Sequence, residues 1–376
     1  MIFKLLKCAL GEVEKREELK LSADAWQAVY DLSKKHDLAH LIGYALNFYD
    51  VEIDPELRAS FDKAINIAGF RYAKSSYELE ALSETLEKAE ICFVPLKGSV
   101  INRYYSEPWL RTSCDIDILV KKEDLERATD ALFTTLGYKR QFATTHDVSI
   151  MTPSGVHIEL HFDLQEEGFN SSDTLANVWC SGELEKVASF EHKMTNELFL
   201  FYHVYHMAKH FKLGGCGIKP LLDLIIIRNK MGYDENKVLA LLENEGYGVF
   251  YKNALTLAEA WFEDGAHTEL SKEMQDYILD GGVYGSMQHN LAIAQSKEGR
   301  FTRLWKRIFM PYKQLIIRYP SLKKCPLLYP FYLVRRWLRI IFSRDRKRAF
   351  DEIKLNQQVT SAQIEYSKRL MGNLGL

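Results

Sequence analysis

The chain has 376 residues, 47% of them hydrophobic and 27% charged, the balance of a globular protein large enough for two or three structural units. A net charge of −2 and the absence of a low-complexity tract, an internal repeat or a run of about 20 apolar residues exclude a disordered tail, a solenoid and a membrane-spanning helix. The opening MIFKLLKCALGEVEK is too briefly apolar for a signal peptide, and Cys8, Cys92, Cys114, Cys180, Cys216 and Cys325 form no C-x-x-C pair, so a cytoplasmic protein with reduced thiols is expected.

In chain order, residues 23–50 predict helix from Trp26, Val29, Tyr30 and Leu32, followed by Leu38, Leu41 and Ile42. Residues 55–90 predict a long helix, with Pro55 suited to its first turn and apolar side chains at helical spacing from Leu57 to Leu86. The period then changes. Ile91 to Leu96 predicts a strand, Lys97-Gly98-Ser99 a break, and Val100 to Tyr105 the start of a helix. Ile116 to Val120 is a second strand, 122–136 a helix stopped by Gly137, and Tyr138–Phe142, Val148–Thr152 and Val156–Phe162 are further strands. From about 173 the pattern is mainly helical: Thr195–Lys212 stopped by Gly214-Gly215, then 218–231, 235–246, 248–263 and 268–280. The expected fold class is α+β. A small α/β core at 91–170 with a mixed sheet is flanked by helical regions at 1–90 and 171–298 and by a basic, aromatic-rich segment at 299–376.

The centre of the chemistry is Cys114-Asp115-Ile116-Asp117-Ile118. In a strand Asp115 and Asp117 face one way while Ile116 and Ile118 face the core. Paired carboxylates repel unless a cation joins them, and a hard ion such as Mg2+ or Mn2+ suits them. The plain alternative is a strand end with two solvated acids. Upstream, Lys97-Gly98-Ser99 sits at a strand-to-helix junction, where glycine admits a phosphate close to the backbone and Lys97 adds charge; taken alone, the motif reads better as an ordinary turn. Downstream, the alternation of Val156-His157-Ile158-Glu159-Leu160-His161 puts His157, Glu159 and His161 on one face. That is either a third carboxylate for the pair or the polar face of a two-sided sheet.

Together these motifs resemble the nucleotidyltransferase superfamily of DNA polymerase beta-like enzymes. More narrowly, they resemble an uncharacterised bacterial nucleotidyltransferase family with an L-K-G turn (Leu96, Lys97, Gly98), an arginine (Arg111), a D-I-D strand (Asp115 to Asp117) and an I-E-L-H strand (Ile158 to His161). The likeness extends to His206-Met207-Ala208-Lys209-His210 and Asp223. The interval from Ser99 to Asp115 is longer than the superfamily pattern and leaves room for a substrate loop at Ser106 to Ser113. The resemblance implies a minimal nucleotidyltransferase core and two-metal transfer of a nucleoside monophosphate from a nucleoside triphosphate, with pyrophosphate leaving. Asp115, Asp117 and Glu159 would be catalytic and hold the metal. Lys97, Gly98, Ser99 and Arg111 would bind the phosphates. The acceptor, whether small molecule, protein or RNA, is not indicated. A non-catalytic relative that only binds nucleotide or a partner is the alternative. A glycosyltransferase using D-x-D fits less well, because the α/β insert is small for a nucleotide-sugar domain.

On the helix 195–212, His203, His206 and His210 form a stripe. His161, His206, Lys209, His210 and Asp223 are expected to line a substrate pocket, or the histidine face to bond Asp223, with a purely structural role for the histidines as the equal alternative; zinc lacks a third ligand placed by spacing. From Arg300 to Arg348 fifteen Lys and Arg face one acid, Asp345, and the rest of the chain is correspondingly acidic. An anionic partner at 300–348, close to the active site, is one expectation; neutralisation against the acidic body, with the aromatics packed under it, is the other. Pro311, Pro320, Pro326 and Pro330 divide the segment into short pieces.

Overall fold

The computed structural model describes residues 1–7, 11, 18–165, 169, 171–298, 302, 305, 308–342 and 354–376. Cys8, Arg300, Phe301, Asp345, Lys347 and Arg348 lie outside the described residues.

The fold is α+β, as expected. Its sheet has five strands: β1 (Phe93–Pro95), β2 (Asp115–Val120), β3 (Lys139–Ala143), β4 (Asp147–Met151) and β5 (His157–His161). Their order is β1-β2-β5-β4-β3, with β2 and β5 parallel and the other neighbours antiparallel. The turn at Thr152–Val156 closes β4 onto β5, with Gly155 at φ 82°, a conformation glycine adopts without Cβ strain.

Alternation assigns the two faces of the sheet. Ile116, Ile118 and Val120 of β2, with Ile158 and Leu160 of β5, pack in one apolar cluster with Leu82 and Leu86 of the long helix Pro55–Lys88 and with Ala128 and Leu132 of the helix Leu125–Leu136. The long helix starts where Asp54 accepts from the amides of Glu56 and Leu57 and Pro55 occupies its first turn. Because its last turns cover the sheet, it belongs to the core as well as to the N-terminal region. A hairpin of Leu184–Lys186 and His192–Met194 flanks β1, whose Phe93 amide donates to the Phe190 carbonyl at 3.1 Å.

The opposite face carries Asp115, Asp117, His157, Glu159 and His161 and looks toward the helical region. There the helices Ala23–Lys35, Ala39–Ala45, Asn196–Lys212, Lys219–Lys230 and Gly248–Phe262 share the larger core, which also takes Val94, Leu96 and Leu119 from the sheet. Residues 23–50, expected as one helix, are broken between Lys35 and Ala39, where Asp37 adopts φ 55°. No Gly or Pro marks this break.

The C-terminal segment folds in the expected short pieces, including the helices Tyr312–Arg318 and Tyr329–Phe342. Its aromatics are not all packed beneath the body, contrary to the plainer expectation: Trp305, Phe331 and Phe342 are exposed. Cys92, Cys114, Cys180, Cys216 and Cys325 are free thiols. Among the described residues no helix is long and apolar enough to cross a membrane.

Candidate functional site

A cleft of about 570 Å³ lies between the sheet face and the helical region. The sheet wall is set by strand register. Asp115 pairs with His157 and Asp117 with Glu159 across the parallel strands β2 and β5, which brings the three carboxylates side by side. Lys97, at the end of β1, has φ 48° and ψ −120°, a conformation strained for a residue with a Cβ. The Lys97 Nζ donates to Asp117 Oδ1 at 2.8 Å, and His161 Nε2 reaches the same oxygen at 2.9 Å. His161 also lies 3.5 Å from Glu159. A Cβ at Gly98 would stand 2.0 Å from Ser113 Oγ and 3.2 Å from Ser113 Cβ, so any larger residue there would push the Ser113 side chain aside. Ser99 faces a small adjoining recess beside Gly98 and Asp115, and does not line the main cleft.

The helical wall is built from ion pairs. The Arg111 guanidinium makes a fork with Asp223, Nε to Oδ1 and Nη2 to Oδ2, both at 2.8 Å. Tyr105 donates to Asp223 Oδ1 at 2.6 Å. Arg111 lines the cleft, but its two-pronged face is turned to Asp223, where the resemblance implied phosphate. Asp223 likewise meets Arg111 and Tyr105, where the sequence suggested the histidines. Lys219 Nζ donates to Asp37 Oδ2 at 2.9 Å and to Thr112 Oγ1 at 3.0 Å. His206 and His210 line the cleft beside Lys209, with their Nε2 atoms 3.1 Å apart. None of the described residues beyond 299 lines the cleft, and Arg300 and the bases from Arg344 to Arg348 lie outside the described residues.

Residues 22–263 match a family described as uncharacterised nucleotidyltransferase, well over half of the chain. The chain belongs to that family. No curated protein matches it. Among solved structures, the solution structure of the antibiotic-resistance factor ANT(2'')-Ia is similar over 46% of this chain and 91% of that one, at 12% identity and a TM-score of 0.36.

The charges of this nucleotidyltransferase differ across the acid cluster. Burial works against the Asp117 carboxylate, but Lys97 and the hydrogen bond from His161 hold it well below the usual carboxylate range. Burial opposes the Lys97 charge, yet Asp117 raises its pKa. His161, penalised by burial, is raised by its bonds to Asp117 and Glu159. Glu159 is lowered, first by the hydrogen bond from His161. Asp115 is the exception: burial and then the Asp117 charge push it up to about 7.

Among the described residues two groups offer ligand atoms within 4.8 Å of one another: Asp115, His157 and Glu159, and Asp117, Glu159 and His161. Oxygen-rich sites suit Mg2+ and Mn2+, and imidazole is tolerated by the latter. The group containing Asp115 and Glu159 fits a divalent cation best, because among the described residues no cation is bonded to Asp115, whereas Asp117 already receives Lys97 and His161. No metal-type group of three among the described residues includes His206 or His210.

Sequence reasoning overlooked Asp37, Thr112, Lys219, Tyr105 and His36. Lys219 and Asp37 are 182 positions apart, and an ion pair that distant leaves no local pattern. His36 is fully buried, lines the cleft, and among the described residues neither of its ring nitrogens has a hydrogen-bond partner.

Proposed function

We propose that this nucleotidyltransferase is divalent-metal dependent and moves a nucleoside monophosphate from a nucleoside triphosphate to an acceptor hydroxyl. The observation that carries the reading is the registration of Asp115, Asp117 and Glu159 on paired parallel strands beside the strained Lys97 turn. In the reaction the acceptor oxygen bonds to the α-phosphorus. The bond from that phosphorus to the bridging oxygen breaks, and pyrophosphate leaves with the electron pair. Glu159, kept anionic by His161 and partly open to the cleft, accepts the acceptor proton. Lys97 and His161 fix Asp117 in one orientation, so the acid face needs little rearrangement when substrate arrives. Asp115, Glu159 and Asp117 would hold Mg2+ or Mn2+, which when bound supplies Lewis-acid charge at the reacting phosphate. The Arg111–Asp223 pair and the half-buried Lys219–Asp37 pair cross-link the opposite wall.

The test is a panel of nucleoside triphosphates labelled at the α-phosphate, with Mg2+ or Mn2+ and candidate acceptors. Metal-dependent transfer of label that Asp117→Ala abolishes is the expected result. Nucleotide binding without transfer by any triphosphate, with Asp117→Ala binding equally well, would favour the non-catalytic relative.

A further inference from the structure

The helix Tyr329–Phe342 is apolar on two sides. Its inner side is occupied: Leu333 packs with Leu315 and Leu322, the Tyr329 hydroxyl donates to the Met310 carbonyl, and Trp337 Nε1 donates to the Ile308 carbonyl, each at 2.8 Å. Its outer side carries Phe331, Val334, Leu338 and Phe342, with Leu327 one turn ahead, all exposed by 47% to 88%. Helical spacing of about 100° per residue gathers Phe331, Val334, Leu338 and Phe342 into one arc of roughly 80°, with exposed Leu327 in the short turn just before the helix. Arg335 and Arg339 border the strip and are exposed, as are Lys323 and Lys324 just before the helix. No acidic residue occurs from Arg300 to Arg344.

We propose that this strip docks on an anionic lipid bilayer. A continuous apolar arc edged by arginines matches the boundary between acyl chains and lipid phosphates: the side chains enter the first, and the guanidinium groups meet the second. The helix has 14 residues, too few for a span of about 20, so it lies along the surface. A second copy of the chain fits less well, because an antiparallel two-fold contact would bring the arginine-lined edges of the two copies together. RNA fits less well too, since Leu327, Val334 and Leu338 give bases neither a stacking plane nor a hydrogen bond. The inference stands apart from the nucleotide chemistry, as no described residue of this segment lines the cleft.

The experiment is flotation of the full chain with vesicles of phosphatidylcholine alone or mixed with phosphatidylglycerol. The anionic vesicles should retain at least about tenfold more protein, with the excess shrinking as salt rises. The double variant Phe331→Asp with Leu338→Asp should lose binding by about tenfold or more without lowering the thermal midpoint, because both side chains are exposed in the wild type. Arg335→Glu with Arg339→Glu should weaken binding to anionic vesicles alone. The proposal is overturned if the wild type fails to float with anionic vesicles, or if the aspartate variant floats as well as the parent. It is also overturned if the strip instead mediates a dimer, seen by light scattering, that the aspartate variant dissociates, or retains RNA while ignoring vesicles.

Discussion

On the helical wall of the cleft two largely buried cations have bonded partners of opposite sign: Arg111 has Asp223, and Lys219 has Asp37. On the sheet wall Asp117 takes Lys97 and shares His161 with Glu159, while among the described residues no cation is bonded to Asp115. The contrast separates a wall that supports from a wall that needs something added. A paired buried ion is costly to disturb and inert when left alone. An unpaired buried carboxylate is held at its charge by whatever binds there.

The largest expected effect comes from the unpaired acid. Asp115→Asn removes a charge that burial and Asp117 already disfavour, so the folded chain should be as stable as the parent or slightly more so. Transfer of the nucleoside monophosphate should nonetheless fall by about a thousandfold, roughly 4 kcal/mol in the barrier. Assays of labelled transfer beside thermal melts read both at once. Turnover within a factor of about ten of the parent would sink the assignment of Asp115 to the reacting face. A large drop in melting temperature would instead move Asp115 to the supporting side of the comparison.

Asp223→Ala should do the reverse. It leaves the Arg111 guanidinium and the Tyr105 hydroxyl buried without their acceptor. Breaking a buried pair from one side costs about 3–5 kcal/mol. Urea denaturation should therefore show a marked loss of stability. A loss below about 1 kcal/mol would mean that the helical wall relaxes or admits water, and that its pairing is not structural.

The unequal legibility of the two walls follows from the same physics. The sheet wall is local in sequence: D-I-D and H-I-E-L-H alternate with period two, so the shared face of Asp115, Asp117, Glu159 and His161 could be read directly, and only the parallel register waited for the fold. The Leu96-Lys97-Gly98 turn was also readable as a break, but not the contact of Lys97 with Asp117, which depends on the positive φ at Lys97. The helical wall is assembled over long separations. Arg111 and Asp223 could each be named, yet nothing in their neighbourhoods says that they bond to each other across 112 positions. Asp37 was hidden further, inside a stretch of helical period whose interruption carries neither Gly nor Pro. The amphipathic strip at Phe331 to Phe342 lay in a segment whose charge was obvious, but its outward orientation is a matter of which side packs on Leu315 and Leu322.

The smallest effect expected concerns His36, which sharpens the comparison because it belongs to neither wall's ion pairs. Burial, and then the nearby Lys35 charge, lower its pKa to about 4, against about 6.5 for an exposed imidazole. The unfolded chain therefore takes up this proton first as pH falls. The stability contributed by keeping His36 neutral is complete above about pH 6.5, declines as pH drops, and reaches its floor near the folded value of about 4. By pH 5 the loss from this residue is about 2 kcal/mol. Other groups titrate in the same window with either sign: Asp115, whose pKa is raised, favours the folded state as pH falls, while His40, lowered to about 4, disfavours it. The informative quantity is thus a difference between two chains. His36→Gln should lose about 2 kcal/mol less stability than the parent between pH 7 and pH 5, measured by urea denaturation at each pH. If the two stability curves stay parallel across that interval, His36 is not the buried neutral imidazole that its missing hydrogen bonds indicate, and a proton or an anion must reach it through the cleft in the folded state.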